Sequence, residues 1–172
     1  MGRMLPRNMG EGWGMKAKRE CCARMEMVNL HFPIIEWPLT SGDRVFFANH
    51  EASKKIRTTG ELLGRFFRRE MHYDFPPYSA CEHDDRMELA LWRFPDFFHP
   101  DFDTTIIGCA GFGLTKRDTW MMEWIWFHPF FRGRGILSNT WPDLLKRYGR
   151  FTFSKPISPA MGKFIRKQSE TP

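Results

Sequence analysis

Apolar residues along this chain gather in short segments, each with its own period. Residues 29–35 and 44–49 are apolar-rich and short, which predicts two strands, the first stopped by Pro38. Thr59-Gly60-Glu61 then precedes Leu62, Leu63, Phe66 and Phe67. That spacing draws a stripe at the helical period, with Arg65, Arg68 and Arg69 on the wet side, and predicts a helix from Thr59 that ends before Pro76-Pro77, with Ser53 to Lys55 as an alternative opening. Residues 73–85 mix Pro, Tyr and acids and read as a loop. Residues 87–94 read as a strand, 95–103 as a loop and 104–114 as a strand whose glycines allow a bulge or a close approach. Lys116-Arg117-Asp118 is a turn. Residues 119–128 are dominated by Trp, Met, Ile and Phe, as a central strand should be.

After Pro129 the period changes again. A helix is predicted to about Tyr148, closed by Gly149 and kinked or split at Pro142. Residues 150–154 suit a short strand, and Ser158-Pro159 opens a last helix to about Lys167. Residues 1–28 follow neither period and are expected to be a basic arm, leaving 29–172 as one domain. Strands interleaved with helices in this order fit an α/β or α+β sandwich with a mixed sheet.

Composition narrows the picture. The 17 Phe, 7 Trp and 3 Tyr exclude a disordered chain, since each ring buries much area. No apolar run reaches membrane-spanning length, and no apolar signal core opens the chain, so a cytoplasmic protein without a membrane partner is expected. Cys21 and Cys22 are adjacent, and Cys81 has only His83 close by, so no metal site is expected. Charge is uneven: residues 132–172 carry nine basic and two acidic side chains, whereas residues 31–131 carry eleven basic and fifteen acidic. A polyanion at one end and a cation elsewhere would suit that split. A merely solvated basic face, or a nucleic-acid patch, is the weaker alternative.

The chemistry concentrates where the Trp-rich strand meets Arg132-Gly133-Arg134-Gly135-Ile136-Leu137. The first amides of a helix have no internal partner, and its dipole adds partial positive charge there. Gly133 and Gly135 let backbone approach a ligand, and Arg132 and Arg134 add charge suited to phosphate oxygens. Together they predict a pyrophosphate-type anion site.

The segment 119–137 resembles the signature of the GNAT N-acetyltransferase superfamily: a strand, a His-Pro-x-aromatic stretch, then Arg-Gly-x-Gly opening a helix. Arg132, Gly133 and Gly135 match, and Leu137 stands where the family usually has Gly or Ala. The resemblance implies a GNAT-like mixed, mostly antiparallel sheet flanked by helices, with splayed strands forming a cofactor cleft. It implies acetyl-CoA as co-substrate, held by the backbone of Ile125 and Phe127 and by residues Arg132, Gly133, Arg134, Gly135, Ile136 and Leu137. It also implies an amine acceptor, a small molecule or a protein lysine or N-terminus, attacking directly in a ternary complex.

Such attack needs a proton acceptor. Glu123 is the one acid on the central strand, alternating with Ile125 and Phe127; it is either partly desolvated by its aromatic neighbours or, near the strand start, simply faces solvent. Family members often carry a Tyr in the last helix to protonate the leaving thiolate. Ile165 stands at the comparable position here, leaving Ser154, Ser158 or water. Cys109 reads as a small core residue. Glu82, Asp84, Asp85, Asp101 and Asp103 form acidic loops that suit an amine. The readings that compete with catalysis are a non-catalytic acyl-CoA-binding or protein-interaction module and, at lower weight, nucleic-acid binding. A homodimer is a secondary expectation.

Overall fold

In the computed structural model, residues 34–36, 44–95 and 103–170 are described; the predicted arm 1–28, the start of the first strand and most of the loop 95–103 lie outside them. The elements run β1 (Ile34–Glu36), β2 (Val45–Ala48), α1 (Lys54–Met71), β3 (Met87–Pro95), β4 (Asp103–Leu114), β5 (Trp120–Phe127), α2 (Ile136–Tyr148), β6 (Thr152–Phe153) and α3 (Pro159–Glu170). A single 3₁₀ turn, Pro129–Phe131, separates β5 from the loop before α2.

The strands join in one sheet ordered β2-β3-β4-β5-β6, with β1 pairing to the start of β4. Every pairing is antiparallel except β5 with β6, which is parallel. The fold is thus the expected mixed, mostly antiparallel sheet. Alternation along β3 sends Leu89 and Leu91 to one face and Ala90 and Trp92 to the other. The first face packs on Ile56, Leu63 and Phe67 of α1. The second packs on Trp141, Leu144 and Tyr148 of α2, with Met161 and Phe164 of α3 beside them. Two polar contacts cross the buried junction of α2 with the sheet. Trp92 Nε1 donates to Thr140 Oγ1 at 2.8 Å, and Arg147 of α2 forks onto the buried carboxylate of Glu88 on β3.

Two elements differ from their sequence reading. α1 starts at Lys54, a turn and a half before Thr59, because Ser53 caps it: its hydroxyl accepts from the Ile56 amide at 3.4 Å. The structure thus takes the alternative opening at Ser53–Lys55; Ile56 alone is too short an apolar run to extend the stripe ahead of Thr59. α2 is one continuous helix through Pro142, neither split nor ended there. Pro142 and Ser138 both lie on the exposed face, so the Ser138 carbonyl deprived of its helical partner faces water.

Candidate active site

The loop before α2 is built by backbone conformation. Gly133 and Gly135 both adopt left-handed φ, +72° and +74°, where other residues are strained. A Cβ at Gly133 would meet nothing within 4 Å, so it is the turn rather than crowding that demands glycine. Gly135 caps α2 without any side-chain hydrogen bond. The amides of Ile136 and Leu137 thus open the helix with no partner within it. That arrangement fits a phosphate group.

The two arginines are placed differently from each other. Arg132 donates through Nε to the Phe127 carbonyl at 2.7 Å and forks onto Glu70, at 2.5 and 2.6 Å. Its charge is shared with a carboxylate at the end of α1, so its first task is to tie the loop to α1 and β5. Arg134 lies over the Phe130 ring, 4.1 Å from its centroid. His128, buried at the start of the 3₁₀ turn, accepts from the Phe130 amide through Nδ1 at 3.1 Å. Burial, and after it the charge of Arg132, push its pKa down to about 4, so it is neutral at physiological pH.

Strand β5 carries the decisive irregularity. Trp124 pairs with Gly111 and Met122 with Phe112, so Glu123 is the extra residue of a β-bulge. The bulge reverses the alternation. Met122, Ile125 and Phe127 pack on the α2 face, whereas Trp124 and Trp126 pack on the α1 face. The expectation that Glu123 shares a face with Ile125 and Phe127 is therefore corrected: the extra residue breaks the period between them. Gly113 makes room for the carboxylate, since a Cβ there would collide with Glu123 Oε1. Half-buried, Glu123 has its pKa raised, first by desolvation and then by the charge of Asp84.

Two cavities meet at Glu123. One, of about 90 Å³, is lined by Tyr73, Glu123, Ile125, Ser154, Ser158 and Met161, among others. It lies where β5 and β6 part: they pair at Met121–Thr152 and Met122–Phe153, after which no strand among the described residues lies beside that edge of β5. The other, of about 220 Å³, brings Glu123 together with His50, Tyr78, Glu82 and Asp84. Asp85 is exposed and outside this lining, and Asp101 falls outside the described residues. Cys109 is fully buried, its thiol pKa driven well up by desolvation, in keeping with a core role.

Tyr73 and Tyr78 line these cavities and were not singled out from the sequence. His72 ends α1 at φ +56°, which turns the chain so that Tyr73 returns onto Phe67, ring centroids 5.2 Å apart. A basic residue followed by an aromatic just past a helix end was the available signal.

The sequence model described as "Acetyltransferase (GNAT) family" matches residues 63–148, half of the chain. The chain belongs to the GNAT family. The match runs from the middle of α1 to the end of α2 and so takes in the bulge, the loop and both cavities' β5 wall. Acetyl transfer is the activity that goes with it. Among solved structures, this GNAT chain is similar to a ribosomal-protein-alanine N-acetyltransferase from Brucella melitensis biovar Abortus 2308, at 16% identity over 72% of this chain and 88% of that one, TM-score 0.46. It is also similar to an integron cassette protein from the mobile metagenome of V. cholerae, at 12% identity over 76% and 88%, TM-score 0.44. No curated protein matches the chain by sequence. Among the described residues, no helix is long and apolar enough to cross a membrane.

Proposed function

We propose that this GNAT domain is an acetyl-CoA-dependent N-acetyltransferase acting on an amine by direct attack in a ternary complex. One observation carries the reading: Glu123, with a raised pKa, stands between a cleft opened by parting strands and an acidic cavity. Acetyl-CoA would lay its pyrophosphate on the amides from Gly133 to Leu137 and its pantetheine along the open edge of β5 at Ile125 and Phe127. As co-substrate it supplies the thioester carbonyl. The acceptor amine, drawn in by Glu82 and Asp84, loses a proton to Glu123 as its nitrogen bonds to that carbonyl. The C–S bond breaks, and the thiolate takes a proton from water, directly or relayed through a hydroxyl bordering the cleft that water reprotonates, with Ser154, Ser158 and Tyr73 the groups present; Glu123 then returns its proton to solvent.

The test is thermal melting with and without acetyl-CoA, followed by thiol release over an amine panel. Binding to the native state must raise the melting temperature. No rise in the wild type would sink the reading, and Gly135→Asp should abolish it. Glu123→Gln should keep the rise while kcat/KM falls about a hundredfold or more. The pH dependence has a definite sign. A base with a raised pKa is active when ionised, so wild-type kcat/KM should fall on acidification through that pKa, and the Gln variant should lack this limb. A non-catalytic acyl-CoA-binding module is the second reading, favoured by Ile165 in place of a Tyr on α3. It predicts the melting shift with no thiol release from any amine.

A further inference from the structure

The acidic cavity at Glu123 has a neighbour of opposite charge. A groove of about 760 Å³ lies between α1 and the chain that follows it, lined by Arg65, Arg68, Arg69, His72 and others. Tyr78 and Ser79 line both spaces, so the two are neighbours along one stretch of chain. Glu61 is the single acid in the groove wall, and both its oxygens are engaged: Oε1 with Arg65, Oε2 accepting from the Ala80 amide at 2.9 Å. Arg68 donates through Nε to the Tyr73 carbonyl at 3.1 Å, which fixes the chain that forms the far wall. Among the described residues, neither Arg68 nor Arg69 is in an ion pair, and both are exposed. Three guanidinium groups against one committed carboxylate leave this wall positive.

We infer that the acceptor is an amine that also carries anionic groups: the amine enters the acidic cavity at Glu123, and a carboxylate or phosphate of the same molecule lies on the Arg65–Arg69 groove. The inference rests on the proposed acetyl transfer and names the class of acceptor for that site. A polycationic acceptor would meet like charge one step beyond its reactive amine, which is a barrier to wrong substrates as much as an attraction for right ones. Guanidinium forks suit carboxylate and phosphate alike, so the geometry selects the charge and leaves its source open.

Two matched pairs of probes decide the matter. One pair is the peptide Ala-Glu-Glu-Gly against Ala-Gln-Gln-Gly; the other is glucosamine 6-phosphate against glucosamine. Each is titrated by calorimetry into full-length protein saturated with acetyl-CoA under conditions of no turnover, and then assayed for thiol release. Wild type should favour the anionic member of at least one pair by roughly five- to tenfold, the yield of about two exposed ion pairs. The pair that discriminates identifies the source. Arg69→Gln should reduce the preference, and Arg65→Gln with Arg69→Glu should abolish it, with the acetyl-CoA melting shift intact as the check on folding. Equal affinity within both pairs, or a preference that survives both variants, overturns the inference. A wild type whose melting temperature ignores acetyl-CoA overturns the underlying reading instead, so the two failures are distinct.

Discussion

At the scale of single residues, environment decides chemistry. His128 and Glu123 sit five residues apart on and after one strand, and burial moves them in opposite directions, one pKa down and the other up. Each keeps the neutral form longer, because desolvation penalises charge of either sign. For His128 this is a stability statement. Its folded pKa of about 4 lies below its unfolded value, so the unfolded chain takes up the proton first. Stability should therefore be fully present above about pH 6.5 and decline as pH falls toward 4. In His128→Asn an amide oxygen can still cap the 3₁₀ turn without titrating, so melting temperature against pH should be flatter across that window. An unchanged slope would assign the acid sensitivity to other groups. The identity of both residues was legible in the sequence. The side on which Glu123 lies was not, because a bulge is a property of two strands in register, and only β4 reveals it.

At the scale of elements, the loop and the helix it opens were the most legible part of the chain. Glycine at a left-handed position is a strong local constraint, and Gly133 and Gly135 both meet it. What stayed hidden was the anchoring partner. Glu70 and Arg132 are 62 residues apart, and no local pattern links them. The start of α1 was legible only as an alternative opening at Ser53–Lys55, because it rests on one capping hydroxyl and a single buried Ile56 ahead of the stripe. Pro142 offers a clean check on α2. The helix runs through it with Ser138 unbonded on the wet face, so Pro142→Ala should restore a hydrogen bond at an exposed site. Urea denaturation should show stabilisation of about 1–3 kcal/mol, within the range that interior prolines cost. A loss of stability would mean that the proline ring packs usefully where it is.

At the scale of the whole molecule, the sheet is a partition shared by two cores. Successive residues of β3 serve alternate faces, so neither core can open without disturbing the strand that both use. Unfolding followed by tryptophan fluorescence should coincide with unfolding followed by far-ultraviolet circular dichroism. The tryptophans report on both faces, with Trp124 and Trp126 on one and Trp92 and Trp141 on the other. A fluorescence transition that leads or trails the other signal would reveal separable halves. The mixed sheet was foreseen from segment order, and its mostly antiparallel pairing and the strand at 150–154 that splays from its neighbour were implied by the family resemblance; the two-residue length of the parallel β5–β6 contact was not legible, because so short a pairing leaves no pattern of its own.

The bulge at Glu123 has a consequence for how such a protein can change over time. In a regular strand every side chain is a core residue or a surface residue, and altering one asks its neighbours to adjust. Here Met122 and Trp124 hold their seats on opposite faces, while the side chain between them borders two cavities and lies against the bare backbone of Gly113. Position 123 is thereby released from the packing problem solved around it. A lineage could exchange its carboxylate for another short polar group, and so alter its chemistry, without first having to refit its interior.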